Sequence, residues 1–173
     1  MMQKRLEVIS VVLSYFAIGS LLFLAIGLSL IDNYINWGQF AMAMLFSGLL
    51  FGAFLYYLFS SFIPAAKTYK NPKGVGLLAP LAFAFSLLFF GVGTLLNQSF
   101  HKEVECKTYT IQRMGESGSR TKAYYIFIDN GNRVERLSFG KAFNQRHSVG
   151  DKVNLCIITG GLGFKFYKVN SSA

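Results

Sequence analysis

Four side chains in this sequence have the chemistry of a cross-link or a metal ligand: Cys106, Cys156, His101 and His147. The cysteines are separated by 50 residues, and a disulfide that closes such a loop contributes about 4 kcal/mol on the chain-entropy model. Two separate thiols are the alternative, because the sequence fixes no distance between them. Neither CxxC nor HxxxH spacing occurs, so we predict no metal site.

Motifs of the common catalytic sites are missing. The sequence contains no GxSxG, no HExxH and no P-loop. Gly160–Gly163 has the composition of a phosphate loop but lies between two predicted strands, which favours a hairpin. His147 and Asp151 are either a general-base pair or two solvated turn residues. We therefore predict no catalytic and no cofactor-binding residue, with a site assembled only in the fold as the alternative.

The C-terminal part of the chain is strongly basic. Residues 98–173 hold 12 Lys or Arg against 6 Asp or Glu. Such a charge suits anionic headgroups or a partner with an acidic face, and it also serves solubility alone. The predicted docking surface consists of Arg113, Arg120, Lys122, Arg133, Arg136, Lys141, Arg146 and Lys152.

Three apolar runs precede this basic part, at residues 8–31, 37–63 and 74–96. None contains Asp, Glu, Lys, Arg or His, and each is longer than the roughly 20 helical residues that cross a bilayer. Proton relays and ion-coupled transport sites normally need such a group, so a stand-alone transporter is not expected. The sequence predicts a three-helix transmembrane domain over residues 1–97 and an extramembrane domain over residues 98–173.

The second run contains a pair of glycines with a spacing typical of helix packing. Gly48 and Gly52 form a GxxxG motif. Small residues four positions apart let two helix backbones approach closely. The alternative is that apolar helices are rich in small residues anyway. The motif predicts that these two glycines lie in a helix–helix contact.

Basic residues set the predicted orientation. Lys4 and Arg5 precede the first run, and three lysines lie between residues 67 and 73, whereas residues 32–36 contain one acid and no base. By the positive-inside rule, the N-terminus and the 67–73 loop are cytoplasmic. Three crossings then place the C-terminal domain outside the cytoplasm, in a compartment that permits disulfides.

Turn signals divide the C-terminal part into five short predicted strands. The strands are expected at 104–113, 123–128, 133–139, 152–159 and 163–169, with a loop or one helical turn at 140–148. Antiparallel pairing of such strands predicts a small barrel or bent sheet of the OB or SH3 kind. The predicted fold is therefore α plus β.

Two short segments carry a resemblance to a known group of proteins. Val149-Gly150-Asp151-Lys152-Val153 is followed by Gly160-Gly161-Leu162-Gly163-Phe164. This part of the chain resembles uncharacterised bacterial membrane proteins that append a small β domain to a few helices. The resemblance implies a fold type and a bacterial envelope setting, and it implies no activity and no catalytic residues.

Together these features predict a non-enzymatic protein of the bacterial inner membrane. Its extracytoplasmic β domain is expected to mediate interaction, assembly or regulation in an envelope complex. The expected partners are the lipid bilayer and a membrane or envelope protein or a second copy of the chain, without nucleic acid. The alternatives are an immunity or exclusion protein against a toxin or phage, an accessory subunit of a transporter, and a membrane-anchored enzyme.

Overall fold

The chain begins with helices and continues into an antiparallel sheet. A computed structural model describes residues 2–68, 70, 74, 76–118, 122–131 and 133–169, without the side chains of 2–10, 12–14, 65 and 101. The helices of the first part are α1 (Met2–Ile31), α2 (Trp37–Phe62), α3 (Ala65–Thr68) and α4 (Leu78–Ser99). The second part comprises β1 (His101–Ser117), β2 (Ala123–Asp129), β3 (Val134–Phe139), α5 (Lys141–Arg146), β4 (Lys152–Gly160) and β5 (Lys165–Val169). The α plus β prediction is confirmed.

Two of the helices, α2 and α4, are long and apolar enough to cross a membrane, by length and composition. In α1 the described apolar segment, Tyr15–Ile31, is shorter than this. The third apolar run begins at residue 74 in the sequence, but α4 begins at Leu78. Pro80 therefore lies in the first helical turn, where a missing N–H removes no helical hydrogen bond. The length and composition of two helices support a membrane protein. The prediction that three helices span the membrane remains a prediction.

Gly48 and Gly52 lie where α2 contacts α4. A Cβ atom on Gly48 would lie 2.5 Å from the carbonyl oxygen of Phe85, and one on Gly52 would meet the α4 backbone equally closely. The Ser86 hydroxyl donates a hydrogen bond to the carbonyl of Leu45 at 3.0 Å across this contact. The structure thus brings both predicted packing glycines to one helix–helix contact, where any larger residue would force the backbones apart.

The chain forms two compact units. The first contains the residues up to Ser29 together with Gly38–Leu95, and the second contains Leu30–Trp37 and the chain from Leu96 onward. The sequence-based division at residue 97 differs from this at two places: the α1–α2 connection belongs to the unit that holds the sheet, and so do Leu96 and Asn97. This placement determines the candidate site described below.

The sheet is a curled half-barrel with the strand order β3-β2-β1-β4-β5. The long strand β1 makes the curl, because its N-terminal part pairs with β4 and its C-terminal part pairs with β2, with a register shift between Ile111 and Arg113. The concave side is filled by a core that includes Ile126, Ile128 and Leu155. The sheet stays open in its own hydrogen bonding, and β3 and β5 are its edges.

Candidate functional site

The connection between α1 and α2 pairs with one edge of the half-barrel. The carbonyl oxygen of Asn33 accepts a hydrogen bond from the N–H of Tyr167 at 2.8 Å, and the N–H of Ile35 donates to the carbonyl of Lys165 at 2.9 Å. Tyr34 forms an antiparallel bridge with Phe166 between these two bonds. Residues 33–35 therefore act as a short extra strand on β5, and they satisfy backbone groups that an edge strand otherwise exposes.

The same connection also reaches the opposite edge. The Asn33 side-chain oxygen Oδ1 accepts a hydrogen bond from the backbone N–H of Ser138 on β3 at 2.8 Å. Beside it, Nη2 of Arg136 lies 3.1 Å from Oδ1 of Asp32. The five-residue connection 32–36 thus contacts both edges of the sheet, and Asn33 alone forms a hydrogen bond with each of the two edge strands.

Tyr34 covers the convex side of the sheet. It is 4% exposed, and its ring stacks on that of Phe166 with 5.6 Å between centroids. Phe166 points away from the main core, since its neighbour Tyr167 belongs to that core. Burial raises the pKa of the Tyr34 hydroxyl, and hydrogen bonds from Asn97 and Gln98 partly oppose this rise. Tyr34 and Phe166 thus form a small apolar cluster apart from the main core, and burial there favours the neutral hydroxyl.

Asn97, near the end of α4, is the buried polar centre of this cluster. It is 0% exposed. Its Nδ2 donates to the carbonyl of Phe164 at 3.0 Å and to the Tyr34 hydroxyl at 3.3 Å, and its Oδ1 accepts from the N–H of Leu162 at 3.0 Å. A Cβ on Gly160 would collide with Asn97. Gly160 and Gly161 of the β4–β5 hairpin therefore permit a close approach to the end of α4.

The structure joins Cys106 and Cys156 in a disulfide. The two residues are direct partners in the β1–β4 register, and their Cα atoms are 3.9 Å apart. Cys156 is buried, whereas Cys106 is exposed. The bond crosses the convex side of the sheet, the side that Tyr34 and Phe166 also occupy, because Cys156 and Ile158 share a face with Phe166.

The predicted basic residues lie at several places on the sheet and on α5. Lys122 pairs with Glu116 at 2.8 Å, and Arg133 pairs with Glu135 at 2.6 Å. The hydrogen bond from Lys122 to Glu116 raises the pKa of the lysine. The remaining members fall at three places, on α5, at the start of β4 and on the convex face: Lys141, Arg146, Lys152, Arg113 and Arg136. Arg120 lies outside the described residues.

Two of these arginines lie over aromatic rings. The guanidinium carbon of Arg113 is 4.0 Å from the ring centroid of Phe127, and that of Arg136 is 4.6 Å from the centroid of Tyr125. Arg113 and Arg136 are both register partners of Phe127, from the two neighbouring strands. The four side chains therefore share one face, which is opposite to the core side chain of Ile126. We call this set the arginine–aromatic face.

His147 and Asp151 do not bond to each other. Nδ1 of His147 lies 2.9 Å from the carbonyl oxygen of Phe143, and Oδ2 of Asp151 accepts from the N–H of Ser148 at 2.7 Å. Both side chains bond to the backbone around the loop that precedes β4. Among the residues that the structure describes, no three His, Cys, Asp or Glu side chains are grouped as metal ligands.

Sequence reasoning did not single out Asn33 or the hydrogen bonding of Asn97. Asn33 lies in a polar connection and Asn97 lies at the end of an apolar run. The hydrogen-bond partners of both side chains are distant in sequence. Ser138 follows Asn33 by 105 positions. The one sequence feature that points to this region is the glycine-rich segment Gly160–Gly163, which indicated a hairpin but not the contact of that hairpin with Asn97.

Comparison with protein-family models, curated proteins and solved structures finds no match for this chain.

Proposed function

We propose that this chain is a non-enzymatic integral membrane protein whose extracytoplasmic β domain docks a partner in a bacterial envelope complex. The observation that carries the proposal is the place of the α1–α2 connection. Asn33 and its neighbours belong to the β unit, so this connection and the β domain lie on the same side of any membrane that the helices cross.

Crossings of the bilayer by α2 and α4 would likewise place residues 32–36 and the β domain on one side. If α2 and α4 each cross the bilayer, the chain leaves the side of residues 32–36 and returns to it before β1. With the lysines between residues 67 and 73 in the cytoplasm, that side is extracytoplasmic. The disulfide between Cys106 and Cys156 also fits an oxidising compartment.

A docking role is supported by the exposed charge of the β domain. The arginine–aromatic face presents two guanidinium groups, and Lys141 and Arg146 on α5 and Lys152 on β4 are also exposed. Fixed charges of one sign speed the encounter with an oppositely charged partner and set its orientation.

Impermeant thiol labelling tests the orientation. In a Cys106→Ser/Cys156→Ser background, Asn154→Cys probes the exposed surface of β4, and Lys70→Cys probes the loop between α3 and α4. On intact spheroplasts we expect labelling at position 154 and protection at position 70 until lysis. The reverse pattern would overturn the extracytoplasmic placement.

Mild-detergent purification after cross-linking in membranes tests the docking role. We expect a stoichiometric envelope protein or a second copy of the chain to be retained. A toxin or phage protein as the retained partner would assign an immunity role instead, and a pore-forming subunit would assign a transport role. Recovery of the chain as a monomer without any partner would contradict the proposal.

A further inference from the structure

The arginine–aromatic face has the chemistry of an anion site. A ring beneath a guanidinium helps to hold the group in place, and N–H donors at the edges of the group that do not already have a partner can bind an anion. The Tyr125 ring is itself fixed, since its hydroxyl lies 3.1 Å from that of Ser117. Arg136 keeps 52% of its side-chain area exposed although it contacts Asp32.

The net charge of this face matches a single negative charge. Arg113 and Arg136 contribute two positive charges, and Asp32 contributes one carboxylate that contacts Arg136. The phosphodiester of a lipid without a cationic headgroup keeps one net negative charge and offers two oxygens that fit the planar fork of arginine, whereas the choline cation of phosphatidylcholine cancels that charge. A ligand with several negative charges would be matched less well, because Asp32 would repel it.

The chain itself gives the position of this face. Asp32 directly follows Ile31, the last residue of α1, and Nη2 of Arg136 lies 3.1 Å from its carboxylate. If α1 crosses the bilayer as proposed, Asp32 lies where the hydrocarbon ends, within a headgroup layer that is roughly 5–7 Å deep. Arg136 is then at the depth of the lipid phosphates, a position that an acidic segment of another protein would reach only by displacing lipid.

We propose that Arg113 and Arg136 bind the phosphate of an anionic phospholipid, with Phe127 and Tyr125 as the platforms that orient them. The proposal rests on the proposed function, because it requires the membrane anchor and the shared side of residues 32–36 and the β domain. It adds a specific ligand class and assigns it to two residues. The other exposed basic groups, on α5 and β4, remain available to a protein partner.

Native mass spectrometry of the full chain tests this site. The protein is released from bilayers of equal phosphatidylglycerol and phosphatidylcholine, and the ratio of the two retained lipids is measured. Arg113→Gln/Arg136→Gln removes the site, and Lys141→Gln/Arg146→Gln removes the same charge from α5. Since each basic residue at an anionic surface contributes about 1 kcal/mol, removal of two should lower the phosphatidylglycerol preference about thirtyfold in the first variant. The α5 variant should keep it.

A conservative variant separates geometry from charge. Arg113→Lys/Arg136→Lys keeps both charges but removes the planar, stacked forks, so we expect a preference between those of the wild type and the glutamine variant. An unchanged preference in Arg113→Gln/Arg136→Gln, or an equal loss in the α5 variant, would overturn the proposed site. Hydrogen exchange of the Ile126 amide in each variant checks that the sheet remains folded.

The same samples distinguish failure of the site from failure of the proposed function. The labelling pattern and the cross-linked partner are recorded for every variant. A normal orientation and a retained partner, together with an unchanged lipid ratio, would overturn the lipid site alone. Loss of an acidic partner protein from Arg113→Gln/Arg136→Gln, with the lipid preference intact, would assign this face to that partner and overturn the lipid site. A reversed orientation would overturn both proposals.

Discussion

The side chain of Asn33 accepts a hydrogen bond from the backbone N–H of Ser138 at 2.8 Å, although the two residues are 105 positions apart. Because the carbonyl of Asn33 also accepts from the N–H of Tyr167, a single residue bonds to both edge strands of the half-barrel. The sheet is thus completed by a segment that lies between two helices.

Asn33→Ala should destabilise the β domain locally. The substitution removes the acceptor of the Ser138 N–H and leaves the backbone bond to Tyr167 intact. We expect a loss of about 1–2 kcal/mol and faster hydrogen exchange at the Ser138 amide. Asn154→Ala is the matched control, because Asn154 lies exposed on β4. Equal protection of Ser138 in both variants would show that the side-chain bond does not form.

Asn97→Ala should have a larger effect. It removes one hydrogen bond each from the Phe164 carbonyl, the Leu162 N–H and the Tyr34 hydroxyl, and Asn97 itself has no exposed area. Each lost hydrogen bond costs about 0.5–1.5 kcal/mol, so for three bonds we expect a loss of about 2–4 kcal/mol in the free energy of unfolding.

The control for Asn97→Ala is Ser99→Ala, because Ser99 is exposed two positions further along α4. Denaturant unfolding monitored by hydrogen exchange at Leu162 reports the change. A shift no larger than that of Ser99→Ala would contradict the role of Asn97 as the polar centre of the cluster.

Gly48→Ala should weaken the packing of α2 on α4. The new Cβ would lie 2.5 Å from the carbonyl oxygen of Phe85, so the helices must separate. Overpacking costs about 1–3 kcal/mol, which corresponds to a thermal midpoint lower by about 3–10 °C. Gly19→Ala is the control, since nothing lies within 4 Å of its Cβ position. The midpoint in mild detergent should be unchanged or raised in the control; equal midpoints for the two variants would disprove the close contact.

Reduction of the disulfide should destabilise the β domain without unfolding α2 and α4. Cys106 and Cys156 close a loop with a sequence separation of 50, for which chain entropy gives about 4 kcal/mol. We expect Cys106→Ser/Cys156→Ser to unfold at lower denaturant with or without reductant, and the wild type to match it only after reduction. Identical unfolding of the oxidised and reduced wild type would show that the bond contributes nothing.

The sequence was sufficient for features that depend on local pattern. Alternation and turn residues predicted β2, β3, β4 and β5 within two residues of their observed bounds, whereas β1 begins three residues before and ends four residues after the predicted 104–113. The apolar runs overlap α1, α2 and α4 but differ from them at their ends by up to six residues, because composition indicates where such helices form and not where they begin.

The rest could not be predicted because it depends on long-range register. The strand order, with β1 between β2 and β4, follows from the bend near Ile111, which no local pattern marks. The contact of Asn33 with both edges depends on the position of residues 32–36 in the fold. The separation of the basic residues into ion pairs and an arginine–aromatic face likewise depends on which side of the sheet each one occupies.

The proposed function depends most on the placement of the α1–α2 connection in the β domain. Cross-linking in native membranes tests this placement most directly. Asp32→Cys/Arg136→Cys in a Cys106→Ser/Cys156→Ser background is treated with a short bis-maleimide, and the cross-linked peptides are measured by mass spectrometry. The contact between these positions predicts an efficient intramolecular link, whereas the control Asp32→Cys/Lys141→Cys should give much less. If each cysteine of the Asp32→Cys/Arg136→Cys pair reacts with a separate reagent molecule and no link forms between them, the placement of the α1–α2 connection in the β domain is wrong.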